Sequence, residues 1–341
     1  MKTSDFYYDL PQRLIAQTPM EPRDAARMMV IHRDTGLRED KIFRDMVDYL
    51  QPGDVMVINE TKVIPARLLG EKEDTKVPVE ILLLRRMDQT HWETLVRPGR
   101  RLKKDVTVSF GDGLLRARIG DTTDAGGRIV EFLYEGVFEE LLDRLGEMPL
   151  PPYIHEKLDD PTQYQTVYAK QEGSAAAPTA GLHFTPEVLN RVREKGVEIV
   201  PVLLHVGLGT FRPVKVEDVS KHVMHSEYYQ VTPEAAARIN AARPRGGRIV
   251  CIGTTSVRTL ETVADEQGIV HPGMGMTNIF ITPGVKLKAT DVLLTNFHLP
   301  ESTLLMLISA MMGREQALDA YREAVEKEYR FFSFGDCMLI L

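Results

Sequence analysis

The sequence predicts an α/β protein, in which a mixed or parallel sheet with helices carries an inserted antiparallel β-barrel. From residue 185 onward, predicted helices alternate with short apolar strands, which is typical of an α/β layer with parallel strands. Between about residues 77 and 134, short alternating runs are separated by glycine-containing turns, which indicates an antiparallel sheet or small barrel. The apolar run 54–59 predicts a buried strand of the α/β layer ahead of the barrel.

The barrel segment shows five alternating runs, at 79–84, 92–96, 106–110, 114–119 and 128–134. Their joins contain glycine, at 97–99, 111–113 and 125–127. The proline-rich stretch 148–153 marks the return to the α/β layer. We therefore expect a discontinuous α/β catalytic domain of residues 1–64 and 151–341, and an inserted β-barrel domain of residues 65–150.

The α/β region can be followed element by element: helix 186–195, strand 198–204, helix 233–242, strand 248–252 and helix 256–266. Thr185 suits an N-cap, Pro186 the first helical position and Glu187 the first turn, so a helix should begin there. The apolar run 303–312 predicts a buried helix, since it is about half the ~20 residues needed to span a bilayer.

Composition is that of a globular protein, with 341 residues, 43% hydrophobic and 27% charged. The N-terminus has no apolar signal core, so we expect a cytoplasmic protein that does not bind a membrane. Cys251 and Cys337 lie far apart in apolar runs, which favours reduced packing thiols over a disulfide or zinc site.

Two basic clusters stand out against a net charge of −7, which by itself disfavours nucleic acid. The first is Arg97, Arg100, Arg101, Lys103 and Lys104, and the second is Arg243, Arg245 and Arg248. Either cluster could contact a phosphate backbone, or be a solvated loop.

Two histidines precede predicted helix starts: His183, ahead of Thr185, and His298, ahead of the 303–312 helix. The positive end of a helix disfavours imidazolium, which suits a neutral base or hydrogen-bond partner. Free amides at the same places could hold a carboxylate or phosphate. The alternative is that each histidine only stabilises a loop.

Residues after two other strands could also carry chemistry. His205 follows a strand, and Gly207 and Gly209 allow close backbone approach to a ligand, although the segment is no dinucleotide fingerprint. His225 and Glu227 share one face if their segment is extended, as a proton-transfer pair would. No other ligand accompanies them, so we expect no metal.

The hydroxyls of Thr254, Thr255 and Ser256 lie between a strand and a helix start, where side chain and amide can bind an anion together. Helix capping by Ser256 or Thr255 is the alternative, and it is compatible with ligand binding. A covalent serine is not expected, since no G-x-S-x-G motif is present.

Taken in order, these motifs resemble one family, the S-adenosylmethionine:tRNA ribosyltransferase-isomerases of queuosine synthesis. The matching runs extend essentially end to end, at 6–11, 14–17, 22–24, 59–67, 177–184, 295–300 and 329–336. The chain departs from the family pattern at Met276, where an aromatic residue is expected, and at Thr282, where a tyrosine is usual. An aromatic residue at position 276 could stack on a base.

The resemblance implies transfer and isomerisation of the ribosyl part of S-adenosylmethionine onto 7-aminomethyl-7-deazaguanine (preQ1) at the wobble position of tRNA. Epoxyqueuosine-tRNA, adenine and methionine would be the products. It further implies an α/β domain with a β-barrel insertion, no metal and no bound cofactor, with S-adenosylmethionine as co-substrate. The partner would be a tRNA with a GUN-type anticodon, and we expect a monomer.

The reaction needs a base for the acceptor amine, a proton abstraction beside the sulfonium and a proton for departing adenine. The catalytic candidates are His183, His205, His225, Glu227, His298 and Asp336. The substrate-binding candidates are Thr179, Gly181, Gly207, Gly209, Thr210, Arg212, Thr254, Thr255, Ser256, Arg258, Thr277 and Asn296. The RNA-binding candidates are Arg97, Arg100, Arg101, Lys103 and Lys104.

Two rival functions remain open. An S-adenosylmethionine-dependent RNA methyltransferase would need a glycine-rich loop and an acidic residue after its first strand, and neither is found. A non-catalytic RNA-binding protein would explain the β module and the basic clusters, but it leaves the histidines without a role.

Overall fold

The computed structural model describes residues 1–123, 126–156, 158, 160–207 and 214–341. The chain divides into two compact units. The larger unit comprises Met1–Thr61, Pro152–Gln171 and Ala177–Leu341, and the smaller comprises Lys62–Pro151 and Glu172–Ala176. The smaller unit includes residues 172–176, which the sequence analysis placed in the α/β part.

The strands are given in chain order. The first four are β1 (Arg27–Ile31), β2 (Arg38–Ile42), β3 (Val55–Asn59) and β4 (Thr61–Val63). Then come β5 (Arg67–Lys72), β6 (Pro78–Arg86), β7 (His91–Arg97), β8 (Thr107–Phe110), β9 (Leu115–Thr122), β10 (Arg128–Leu133) and β11 (Gly146–Glu147). The last are β12 (Gln171–Ser174), β13 (Glu198–Leu204), β14 (Glu227–Val231), β15 (Ile249–Ile252), β16 (Gly273–Thr277), β17 (Val292–Asn296) and β18 (Cys337–Ile340).

The α-helices are α1 (Phe138–Leu145), α2 (Pro186–Glu194), α3 (Pro233–Asn240), α4 (Gly253–Val263), α5 (Thr303–Met312) and α6 (Arg314–Glu326). Short 3-10 helices occur at Thr3–Phe6, Gln12–Leu14, Arg23–Ala25, Phe43–Tyr49, Pro161–Tyr164, Thr179–His183, Val219–Lys221 and Arg243–Arg245. In the described part of the chain, no helix combines the length and the apolar character needed to cross a membrane.

The larger unit is built on one mixed sheet, as predicted. Among the described residues it has nine strands, in the order β16-β14-β13-β3-β15-β17-β18-β1-β2. The four central strands β13, β3, β15 and β17 are mutually parallel. Their carboxyl ends therefore lie at one edge of the sheet, where binding and catalytic groups of α/β proteins gather.

Both faces of the central parallel strands are buried, which explains why these strands are apolar without a polar side. In β3, Val55 and Val57 join one hydrophobic cluster, while Met56 and Ile58 join another. Such continuous apolar strands are typical of parallel sheets covered on two sides. Cys251 and Cys337 are free thiols, each buried in one of these two hydrophobic clusters, which confirms their prediction as packing thiols.

The predicted helix starts were right at α2 and wrong at α4. Thr185 caps α2 by accepting the N–H of Val188 at 3.3 Å. The α4 helix begins at Gly253 and not at Ser256. Gly253 has a φ of 81°, a conformation that favours glycine, and it lets the chain pass from β15 directly into the helix.

The smaller unit is a closed antiparallel β-barrel, which confirms the predicted fold class. Its strands follow the order β5-β6-β7-β10-β9-β8, and β8 pairs with β5 to close the ring. Alternate residues point inwards, as in β6, where Val79, Ile81 and Leu83 are buried. A side chain at Gly70 would collide with the Ser109 carbonyl, so closure requires glycine there.

Candidate active site

Polar groups gather at the carboxyl ends of the four parallel strands of the larger unit. His205 follows β13, Thr61 lies just beyond β3, Thr254 lies just beyond β15, and Asn296 ends β17. The β3 and β13 ends are joined by the side chain of Asn59, which donates to the Leu204 carbonyl at 2.9 Å and accepts the Leu204 N–H at 3.0 Å. Sequence-distant residues thus meet at one edge.

A cleft of about 490 Å³, counting space open to solvent, lies at this edge. Its polar lining comprises Thr179, Thr254, Thr255, Thr295, Asn296, His298 and Ser333. Its apolar lining includes Ala177, Ala180, Val206, Phe297, Leu304 and Phe332.

The first turn of α4 forms one wall of the cleft and has no side-chain cap. The buried hydroxyl of Thr255 has no hydrogen-bond partner among the described residues, and Thr255 is 8% exposed. Uncapped helix starts present free amides and a partial positive charge. An anionic oxygen would satisfy the amides and the Thr255 hydroxyl together.

Ser256 takes no part in this wall. It is fully buried, and its hydroxyl donates to the Ile252 carbonyl one turn back at 2.8 Å. The predicted capping by Ser256 or Thr255 is therefore wrong, since the helix starts earlier and has no side-chain cap.

Asn296 links the cleft to His183. Its amide donates to the carbonyls of Phe332, at 2.8 Å, and Ser333, at 3.2 Å. Its carbonyl oxygen consequently faces His183 Nε2 at 3.0 Å. His183 is 5% exposed and lines a smaller cavity that shares Ser333 with the cleft.

His298 lines the cleft and is held by two tyrosines that the sequence analysis did not identify. The Tyr8 hydroxyl donates to the His298 carbonyl, and the His298 N–H donates to the Tyr321 hydroxyl at 3.1 Å. The ring nitrogen Nε2 lies 3.1 Å from the Thr295 hydroxyl. The backbone is thus fixed from both sides, and this positions the imidazole.

Burial keeps the rings of His183 and His298 neutral. It lowers the pKa of His183 to about 4 and that of His298 to about 3. A base with such a pKa is nearly always unprotonated at neutral pH, but it is too weak to deprotonate an amine efficiently. These rings are therefore suited to hydrogen bonding.

The same pKa shifts predict how stability depends on pH. Between the folded pKa values and the unfolded value of 6.5, the unfolded chain binds protons that the folded chain does not. We expect the free energy of unfolding to be highest above about pH 6.5. Below that pH it should decline by up to about 1.4 kcal/mol per pH unit for each histidine.

Urea unfolding across this range measures the slope of the unfolding free energy against pH. His298→Gln should flatten it, whereas replacing exposed His155 with Gln should leave it unchanged; equal slopes in both variants would contradict the prediction.

His205 is less buried than the other two rings. Its Nδ1 lies 2.8 Å from the Thr61 hydroxyl, and partial burial lowers its pKa. It is not among the residues lining the cleft, but its neighbour Val206 is. His225 is partly buried and does not line the cleft either.

Glu227 and Arg258 form a buried ion pair, with side chains 3% and 4% exposed. Glu227 also accepts the N–H of Gly207 at 2.9 Å, at the point where the chain leaves β13. The Arg258 Nε and Nη2 atoms have no hydrogen-bond partner within the described ranges. The pair joins α4 to β14 and to the segment after β13.

Other predicted site residues have mainly structural contacts. The Asp336 carboxylate accepts hydrogen bonds from the backbone N–H groups of Arg27, at 2.8 Å, and Arg330, at 2.7 Å. Burial raises the pKa of this carboxyl group.

The Thr277 hydroxyl forms a hydrogen bond of 2.7 Å with the Thr262 hydroxyl. A side chain at Gly181 would collide with the Tyr168 hydroxyl, so packing requires this glycine. The remaining candidates Gly209, Thr210 and Arg212 lie outside the described residues.

The two basic clusters differ in their partners. In the barrel, Arg97, Arg100, Arg101 and Lys103 are exposed and form no ion pair with any described residue, while Lys104 pairs with Asp121 at 2.7 Å. In the larger unit, every arginine of the second cluster is paired: Arg243 with Asp291, Arg245 with Glu198 and Arg248 with Asp54. The barrel cluster is therefore the one with cations available for phosphate.

The described residues include no group of three or more histidine, cysteine or acidic side chains arranged to hold a metal ion.

Sequence reasoning missed four residues that contact the site: Tyr8, Tyr321, Thr61 and Ser333. Thr61 lies just past a predicted strand end, and Tyr8 and Ser333 lie in the matching runs 6–11 and 329–336, so a signal existed for these three.

The model of a family described as queuosine biosynthesis protein matches residues 3–340. Relatives named S-adenosylmethionine:tRNA ribosyltransferase-isomerase occur in Symbiobacterium thermophilum, 63% identical over 341 residues, and in Moorella thermoacetica, 63% identical over 342, each match covering 100% of both chains. The crystal structure of S-adenosylmethionine tRNA ribosyltransferase from Thermotoga maritima is 41% identical, covers 99% of this chain and 100% of its own, and superposes with a TM-score of 0.58. This chain belongs to the queuosine biosynthesis protein family.

Proposed function

We propose that this chain transfers and isomerises the ribosyl moiety of S-adenosylmethionine onto preQ1 at the tRNA wobble position, giving epoxyqueuosine-tRNA and releasing adenine and methionine. The chain is a tRNA-modifying enzyme of queuosine biosynthesis, a transferase and isomerase that uses S-adenosylmethionine. The observation that supports the specific reaction is the cleft, where an uncapped helix start faces His298 and Asn296.

The cleft suggests how its residues divide the work. The methionyl carboxylate of S-adenosylmethionine would accept from the first amides of α4 and from the Thr255 hydroxyl, which otherwise has no partner among the described residues. Neutral His298, with Thr179 and Thr254, would hydrogen-bond the ribose or the adenine. Asn296 has its amide committed to two carbonyls, so it would act by positioning His183 and the 332–333 wall.

His205 is the best placed proton acceptor for the substrate amine. Partial burial lowers the pKa of its imidazole, while the ring keeps some contact with solvent through which a substrate amine could approach. Thr61 fixes the ring through Nδ1 and leaves Nε2 for the proton. The amine nitrogen would then bond to the ribosyl carbon as the bond from that carbon to adenine breaks, and adenine would leave with the bonding electrons and take up a proton. Loss of a proton beside the sulfonium and departure of methionine with the electrons of its carbon–sulfur bond would complete the isomerisation.

The decisive experiment measures adenine release from S-adenosylmethionine in the presence of preQ1-containing tRNA. The proposed reaction gives adenine and methionine. A methyltransferase would give S-adenosylhomocysteine, and a non-catalytic RNA-binding protein would give neither product. Absence of adenine with a tRNA that the protein binds would refute the proposal.

We propose the barrel, predicted as a domain of residues 65–150, as a docking surface for the tRNA backbone. Replacing Arg100 with glutamate is expected to weaken tRNA binding about tenfold. The slope of the logarithm of the binding constant against the logarithm of the salt concentration should fall by about the contribution of one phosphate contact. Arg118→Glu is a matched control, because Arg118 is an exposed barrel residue already paired with Glu131 at 3.3 Å. Equal losses in both variants, measured across a salt series, would exclude the cluster as the docking surface.

The remaining expectations also stay proposals: a monomer acting in the cytoplasm on tRNAs with a GUN-type anticodon, with S-adenosylmethionine as co-substrate and no bound cofactor. The tRNA substrate supports the compartment, and the cleft, formed within a single chain, supports the monomer.

A further inference from the structure

Three side chains form a row across neighbouring strands beside the cleft. Tyr228 on β14 lies directly opposite Met276 on β16, and the His205 N–H donates to the Tyr228 carbonyl at 2.9 Å. The His205 and Tyr228 rings stack with centroids 5.7 Å apart and planes 25° from parallel. Because neighbouring residues of a strand point to opposite faces, these three share one face and Glu227 lies on the other.

The outer end of this row is accessible. In the described part of the chain β16 is the edge strand of the sheet. Met276 is 45% exposed, and Met274, further along the same face, is 65% exposed. The opposite face is closed, since Glu227 is buried against Arg258 and Thr277 is 4% exposed. The Met276 thioether, at the outer end of the row, is therefore open to contact with a ligand.

The backbone at the inner end of the row reaches the cleft, because His205 is followed directly by Val206, which lines it. The Thr61 hydroxyl holds the His205 ring in place. The row therefore presents two aromatic rings and a polarizable thioether, without a charged group among them. Planar heteroaromatic rings pack well on such surfaces, and single-stranded RNA is usually bound by stacking its splayed bases on them.

We propose that His205, Tyr228 and Met276 form a stacking surface for the target base of the RNA loop and hold that base beside the cleft. The inference rests on the proposed function, which requires an extruded base to approach the bound co-substrate. Tyr228 and Met276 act as positioning residues, and the surface contributes to RNA affinity while leaving binding of S-adenosylmethionine unchanged.

The test is a thermodynamic cycle between protein and RNA. Dissociation constants are measured by fluorescence anisotropy for two anticodon stem-loops, one with preQ1 at the wobble position and one abasic there. Tyr228→Ala is expected to weaken binding of the intact stem-loop about tenfold, the usual effect of losing one base stack. Binding of the abasic stem-loop should not change, because the stacking partner is already absent.

Matched variants guard against a folding defect. Met276→Ala should weaken the intact complex several-fold and Met276→Phe should tighten it, while Met274→Ala, on the same strand and face, should have no effect. Tyr228→Phe should retain binding because the ring remains. If Tyr228→Ala and Met276→Ala weaken both stem-loops equally, or neither, the stacking surface is refuted. The proposed function fails separately, if the unaltered enzyme releases no adenine with the intact stem-loop.

Discussion

Replacing Arg258 with methionine is expected to lower the free energy of unfolding by about 3–5 kcal/mol, the usual cost of removing one partner from a buried ion pair. Glu227 would keep its charge without the guanidinium, in a site where its side chain is 3% exposed. Denaturant unfolding at neutral pH measures the loss directly.

A double variant and an exposed pair provide the controls. Adding Glu227→Gln to Arg258→Met should recover most of the stability, because a neutral amide oxygen can still accept the Gly207 N–H. Arg13→Met, which breaks an exposed pair with Glu328, should cost less than about 1 kcal/mol. A loss for Arg258→Met no larger than for Arg13→Met would show that the buried pair is unimportant for stability.

Replacing His298 with alanine is expected to slow single-turnover adenine release by about a hundredfold to a thousandfold, as removal of one positioned hydrogen-bond group in an active site commonly does. The ring lines the cleft, while the backbone around it is held by Tyr8 and Tyr321 and should keep its place. The unfolding free energy of the variant, measured in parallel, separates this effect from a loss of fold.

The pH dependence and a conservative variant identify the role of the ring. Because burial lowers the pKa of His298 to about 3, the loss should be the same factor at pH values well above that. His298→Asn should restore part of the rate, since a carboxamide can form a neutral hydrogen bond but cannot act as a base. A loss that varies strongly with pH between about 6 and 8, with no rescue by asparagine, would instead indicate proton transfer.

The fold was largely predictable because its local signals agree with its long-range pairing. Alternating runs with glycine turns predicted the barrel, and the Thr185-Pro186-Glu187 signature gave the start of α2. The pairing of β5 with β8 that closes the barrel could not be predicted from the order of the strands along the chain, because it depends on contacts between distant segments. The start of α4 was misplaced because a glycine with positive φ removes the usual capping residue from the turn.

The candidate site was predictable where a local signal or a matching run marks a polar residue. His298 was identified because it precedes a predicted helix, Asn296 was identified within the matching run 295–300, and both line the cleft. Ser256 was misjudged because the earlier helix start turns its hydroxyl back to a carbonyl. The contact of Tyr8 with the site could not be predicted, since its bond to the His298 carbonyl spans 290 positions and leaves no local pattern.

The position of β18 bears on how the chain folds as it is made. In the sheet β1 lies between β2 and β18, and the segments that carry β1 and β18 are joined by a hydrogen bond spanning 309 positions, from the Arg27 N–H to Asp336. On the ribosome, the hairpin of β1 and β2 must therefore wait for a segment some 309 positions further along the chain before its second neighbour emerges. During that delay Met28, Met29, Val30 and Ile31, all fully buried in the finished sheet, present an unpaired apolar edge of the kind that aggregates. A nascent chain arrested before residue 337 should consequently be retained by chaperones that bind apolar segments, and released only once β18 is available.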